Sequence, residues 1–248
     1  MLLVILLHML LSLDICYVIA EYCIVPDLLD WIPQNKLNWT SLSANPAAIY
    51  LLEANPDKIY WPFLCQNPTK WAIHLLEANL DKIDWSILCR NPAAIDLIER
   101  NPRKIYWNLL SENSAAIHLL EANPDKINWN YLSINPAAIH LLEANSNKIN
   151  WEWLSRNPAA VHLLEANPDK IDWECLSGNS TEWAMHLLKA NPDRIDWFFL
   201  SKNPMKLAMH LLQTNPGGIN WFWLSQNPAI FKINRKRITA LARQLCEH

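Results

Sequence analysis

The chain has 248 residues, 51% of them apolar, and a formal net charge of −3. That balance gives no global reason to expect nucleic acid or an anionic membrane as a partner. With only three glycines there is also no Gly-rich loop to cradle a phosphate. The cysteines at positions 16, 23, 65, 89, 175 and 246 contain no CxxC pair. They fit neither a zinc motif nor a disulfide framework, and are expected as free structural thiols in a reducing compartment.

Residues 1–34 open with the apolar run MLLVILLHMLLSL. No Lys or Arg precedes it, His8 and Asp14 interrupt the segment, and the run is short of the about 20 residues a membrane span needs. The leading expectation is a buried capping helix and a cytoplasmic protein. The alternative is a signal or anchor in residues 1–20, for a secreted or membrane-attached protein. Within this segment, LSLDICYVIAEYC resembles the opening helix of an F-box, with Leu11, Asp14, Ile15 and Ile19 on matching positions. That resemblance implies docking on the adaptor subunit of a cullin-type ubiquitin ligase. Ser12 and Asp14 stand where the usual pattern has Pro and Glu.

From about Asn35 to Asn227 one unit recurs. Its Trp appears at positions 39, 61, 85, 107, 129, 151, 173, 197 and 221, in steps of 22 or 24 residues. A period of this size marks a repeat array whose units bury their apolar faces against neighbours. Each unit has two halves, typified by NPAAIHLLEA (135–144) and NPDKINWNYLS (123–133). Asn is a strong N-cap, Pro suits the first helical position, and the Asp that often follows complements the helix dipole. The same Asn ends the preceding helix, where left-handed geometry is common. The expected fold is therefore all-α: an α-solenoid of about nine two-helix repeats over residues 35–228, with capping helices in 1–34 and 229–248. A leucine-rich-repeat-like arc has a similar period, but Pro after Asn, the Ala-Ala pairs and the scarcity of Gly favour helix.

Several columns run through the array. The Trp column is read as core. His74, His118, His140, His162, His186 and His210 form a second column, each with an acidic or polar residue three positions on, such as Glu121 after His118. A solvated His–Glu edge along one helix is expected there, because a metal needs several ligands converging at about 2.0–2.1 Å. The units at 69–73, 181–185 and 205–209 carry two extra residues, which predicts a longer or shifted first helix there. No catalytic set, cofactor site or metal site can be singled out, since every candidate recurs in many copies, so an enzyme is not expected.

Positions that vary inside an otherwise uniform unit are where partner choice is encoded. The residue after each Trp runs from Thr40 to Phe222, and the residue two after the second-helix Leu runs from Ala44 to Gln226. The candidate contacts on these columns are Phe198, Phe222, Glu152, Arg156 and Lys202, with the two phenylalanines as anchors. The chain closes on a basic segment containing Lys232, Arg235, Lys236, Arg237 and Arg243, read as the polar face of a terminal helix.

The whole unit, NPAAIHLLEANPDKINWxxLSxN, resembles the Asn-Pro/Trp repeat proteins of giant DNA viruses. This implies a viral origin and action inside the host cell. The resulting expectation is a non-enzymatic scaffold for another protein, with no small-molecule substrate, nucleic acid or membrane as partner. An F-box-like ligase adaptor and a structural virion component are the alternatives.

Overall fold

The computed structural model describes residues 27–232 and Thr239. They fall in two units, Asn35–Ala229 and a second built from both ends of the chain, 1–34 with 230–248. In the second unit, strand β1 (Asp27–Leu28) pairs antiparallel with β2 (Phe231–Lys232), and Lys232 forms an ion pair with Asp30 at 2.6 Å. The segment read as a C-terminal helix thus begins as a strand. Apart from Thr239, which is helical, its remainder, like residues 1–26, lies outside the described residues.

The large unit is the expected all-α repeat array, but its halves are built differently. In the first half, a 3-10 turn such as Pro136–Ala138 runs directly into a short α-helix, Ile139–Ala144. In the second half, the 3-10 turn Pro124–Lys126 is followed by two extended residues, Ile127 and Asn128, before the helix Trp129–Ser133 starts. The second helix is therefore capped by Asn128, whose side chain accepts from Asn130 and Tyr131, and not by Asn123. Asn123 instead donates its Nδ2 back to the Leu119 carbonyl at 2.9 Å, closing the end of the previous helix. No described non-Gly residue has a positive φ. Asn123 does its capping at φ −136 and ψ 62 and never enters the left-handed region expected of it.

The first-half Asn has a different task. At Asn45, 67, 91, 113, 135, 157, 179, 203 and 227, the Oδ1 accepts from the backbone N–H two residues on, capping its own turn. The Nδ2 of each donates twice, to the Ser or Cys carbonyl and the Asn carbonyl of the preceding repeat, at 2.9–3.2 Å. All nine are 0–3% exposed. Only an amide supplies two donors and an acceptor in so small a side chain, so Asp could cap but could not form the ladder.

This ladder has no free end. Asn45, in the earliest rung, donates to the carbonyls of Ser225 and Asn227, and the Asn38 N–H donates to Ser225 Oγ. The solenoid closes on itself as a ring of nine repeats. Eight are continuous between residues 45 and 226. The ninth is composite, its first half opening at Asn227–Ala229 and its second half supplied by Asn35–Ala44.

Core and seal follow from the same geometry. The two Leu columns, for example Leu120 and Leu132, are 0% exposed, as are Ala116 and Ala138. The Ser column is buried too: Ser111 Oγ donates to the Trp107 carbonyl and accepts from the Asn128 N–H of the next repeat, both at 3.0 Å. Cys65 and Cys89 take the Ser place as free buried thiols. The Trp column is only half-buried, a correction to its reading as core. Six of its nine rings are covered by a cation from the following repeat, for example Lys126 over Trp107 and Lys148 over Trp129 at 4.6 and 4.3 Å.

The three longer units replace turn plus helix with one continuous helix, Lys70–Glu77, Glu182–Ala190 and Lys206–Thr214. Thr69 and Thr181 cap the first two.

Candidate functional site

Closing the array turns one side of every second helix toward a common axis. Two columns meet there, the residue two after each Trp and the residue two after each second-helix Leu. A cavity of about 440 Å³ is lined by Phe63, Gln66, Arg90, Glu112, Arg156, Lys202 and Trp223, among others. These residues belong to repeats spread around the circle, so the cavity is the lumen of the ring.

The lumen is basic and aromatic. Arg90 Nε donates to Glu112 at 2.8 Å, and the Arg90 guanidinium also lies 5.9 Å from the Tyr131 ring. Arg156 sits over Phe199 and Lys202 over Trp223, at 5.6 and 4.9 Å. Neither Arg156 nor Lys202 has a hydrogen-bond or ion-pair partner among the described residues. Burial, followed by the positive charge of Arg156, pushes the Lys202 ammonium down from 10.5 to about 8. Burial also lowers the Arg156 guanidinium, against the opposing pull of Glu112. The side chain of Arg156 lies against Gly178, where a Cβ would come within 3.2 Å of its Nε. Gln226, on the same column, is 5% exposed and its Nε2 has no partner.

A run of edge-to-face rings crosses this end of the ring. Phe199 meets Phe198, Phe198 meets Trp223, Trp223 meets Phe222, Phe222 meets Phe63, and Phe63 meets Tyr60, with centroids 5.2–5.9 Å apart. Phe63 and Phe222 come from repeats two steps apart. They meet at 5.9 Å because the repeat between them carries the small Ser41 at the corresponding place. Phe198 and Phe222 remain 43% and 37% exposed.

The sequence candidates therefore separate. Arg156 and Lys202 face the lumen, where they share a small recess with Phe198, Phe199 and Trp223. Phe198, Phe222 and Glu152 lie on the exposed rim column. Leu11, Asp14, Ile15 and Ile19 lie outside the described residues. Sequence reasoning passed over the column two after Trp (Tyr131, Trp153, Cys175, Phe199, Trp223) as a lining. The signal available was its variability, which runs from Ser41 to Trp223 while the adjacent Leu never changes.

The histidine column also differs from expectation. The histidines pair with the preceding repeat and not along their own helix: His118 with Glu99 at 2.7 Å, His140 with Glu121 at 3.0 Å and His162 with Glu143 at 2.9 Å. All are exposed pairs of small individual worth. Among the described residues no group of three or more His, Cys, Asp or Glu converges as a metal site would require. A further cavity of about 400 Å³ lies between the two consecutive long helices, lined by Met185, His186, Met205, Leu207 and His210. No described helix is long and apolar enough to cross a membrane.

Comparison of the chain with protein-family models, curated proteins and solved structures finds no match in any of the three.

Proposed function

We propose that this chain is a non-enzymatic interaction scaffold: a ring of helical repeats that presents an aromatic rim to another protein. The observation that carries the reading is the six-ring run that includes exposed Phe198 and Phe222, set on a body whose buried ladder of side-chain amides is fully used. Rigid aromatic anchors on a preorganised surface lose little entropy on binding. With Arg156 and Lys202 beside Phe198, the partner is expected to offer an apolar side chain flanked by acidic groups. The unit's resemblance to giant-virus Asn-Pro/Trp repeat proteins supports a viral protein acting in the host cell.

Affinity purification from infected cells, followed by binding of the recovered partner to purified chain, tests this. Phe198→Ala with Phe222→Ala should abolish that binding and leave the melting temperature within about 2 °C, since both rings are substantially exposed. Retention of binding by the double variant would refute the rim as the contact.

A second reading, a ligase adaptor, is favoured by the match of Leu11, Asp14, Ile15 and Ile19 to an F-box helix. It requires that the full chain capture the ligase adaptor subunit and that Ile15→Asp with Ile19→Asp abolish the capture. A structural virion component would instead be abundant in purified particles.

A further inference from the structure

Two cations in the lumen have no explanation in the fold. The Asn ladder and the Ser column of the ring satisfy one another, and Arg90 is neutralised by Glu112, whereas Ser41 Oγ and Gln226 Nε2 are buried without a partner among the described residues. Arg156 and Lys202 make no hydrogen bond or ion pair with the described residues; they lie over the faces of Phe199 and Trp223 and feel Glu112, already paired with Arg90, only at longer range. A desolvated charge without a partner is costly, and the cost is recovered when an anion arrives. Their donors suit one kind of anion. Arg presents a planar fork of N–H groups and Lys three more, and both residues line a cavity of about 440 Å³, within the usual range for small-ligand sites. A single carboxylate neutralises one of the two charges. A phosphate monoester carries up to two negative charges and has enough oxygens to accept from both. Trp223 lines the same cavity, with Phe199 in the smaller recess beside it, and offers apolar surface to whatever carries the phosphate.

We propose that the lumen binds a phosphate dianion carried on a small organic molecule, with Arg156 and Lys202 as its ligands and Trp223 as the wall for the organic part. The site needs no Gly-rich loop, because side chains supply every donor. It adjoins the protein-binding rim, since Phe198 lines the same recess and Phe198 and Phe222 both pack on Trp223; the two are told apart by the probe, phosphate binding requiring Arg156 and Lys202 and protein binding requiring Phe198 and Phe222.

The test is calorimetric titration of the full chain with pyrophosphate and, separately, adenosine 5′-monophosphate. Saturable binding at one per chain is expected for both, with adenosine monophosphate the tighter if the aromatic wall contributes. Arg156→Gln and Lys202→Gln should each weaken binding about tenfold or more. Glu112→Gln, which removes the one carboxylate facing the cations, should tighten it, a result that a merely structural role would not give. Affinity should also fall as pH rises through about 8, where Lys202, facing Arg156, Arg90 and Glu112, loses its proton. Three results would overturn the proposal: no saturable heat at millimolar probe, unchanged affinity in an Arg156→Gln/Lys202→Gln chain with native circular dichroism, or tighter binding of polyglutamate than of either phosphate probe.

Discussion

In an open solenoid the terminal rung of a side-chain ladder is cheap to lose, because it faces solvent or a frayed cap. In a closed ring there is no terminal rung. Asn45 lies ten residues after the start of the ring unit, yet it makes the same bonds as Asn135 in mid-chain. Its Nδ2 reaches Ser225 O at 3.0 Å and Asn227 O at 3.1 Å, and its Oδ1 accepts from Ala47 N–H at 2.9 Å. Asn135 matches it with bonds of 3.0 Å to Ser111 O, Asn113 O and Ala137 N–H. Both side chains are 0% exposed. Truncation to Ala removes three bonds and leaves three backbone groups short of a partner, a loss of about 2–4 kcal/mol at either site. For a unit of this size that is a fall of about 5–12 °C in melting temperature.

The comparator is Asn123→Ala, which removes one bond to the Leu119 carbonyl in a half-buried place and should cost about 1 kcal/mol. Thermal and urea unfolding of the three variants gives the order directly. Closure requires Asn45→Ala to be as damaging as Asn135→Ala. An Asn45→Ala cost no greater than that of Asn123→Ala would refute it.

Asn135→Asp keeps the cap but sets a carboxylate against two carbonyl oxygens in a buried site. It should cost at least as much as Asn135→Ala, about 3–5 kcal/mol by urea melts at pH 7. Lys202→Met removes a desolvated cation and should stabilise the ligand-free protein. The fall from 10.5 to about 8 corresponds to about 3 kcal/mol, and partial solvent access reduces the expected gain to about 1–2 kcal/mol, or about 3–6 °C. That advantage should shrink as pH rises from about 8 to 10.5. Over this window the unfolded chain holds the Lys202 proton and the folded chain has released it, so wild-type stability climbs toward that of the variant. Above pH 9, Cys65 and Cys175 act in the opposite direction in both proteins. Burial raises them to about 11 and about 12, so their contribution is lost as the unfolded thiols ionise, and the difference between wild type and variant isolates Lys202.

The repeat, its helical class and the longer helices of the three extended units were legible because each rests on local chemistry: Asn and Pro at a turn, Leu at helical spacing, two residues added to one half. Which Asn does what was not legible from the caps alone, since both halves open with the same dipeptide. The distinction lies in what precedes it. Ser or Cys two residues before the first-half Asn, as in Ser111 and Asn113, gives the next rung its carbonyl target, whereas Glu-Ala precedes the second-half Asn. Closure is harder still to read. It depends on a turn of about 40° per repeat repeated nine times, a sum of small packing angles that no single residue encodes. The one clue lay at the two ends of the array: it starts with a lone second half, Asn35–Ala44, and stops where a first half opens, at Asn227–Ala229.

Closure also changes the meaning of the variable columns. In an open array each exposed variable residue acts on its own stretch of surface. In a ring, residues far apart in sequence share one small volume, so Arg90, Glu112, Arg156 and Lys202 feel one another's charge across repeats. The lumen's net positive charge is thus a property of the whole circle, in a chain whose formal charge is −3. Stability alone would favour neutral residues at 156 and 202, as Ile134 and Gly178 on the same column illustrate. A ring whose Asn ladder is fully satisfied, yet whose Arg156 and Lys202 have no hydrogen-bond or ion-pair partner among the described residues, carries those cations for a ligand on the reading proposed above. If Lys202→Met both stabilises the empty ring and abolishes phosphate binding, the two effects together identify the residue as functional, which neither would do alone.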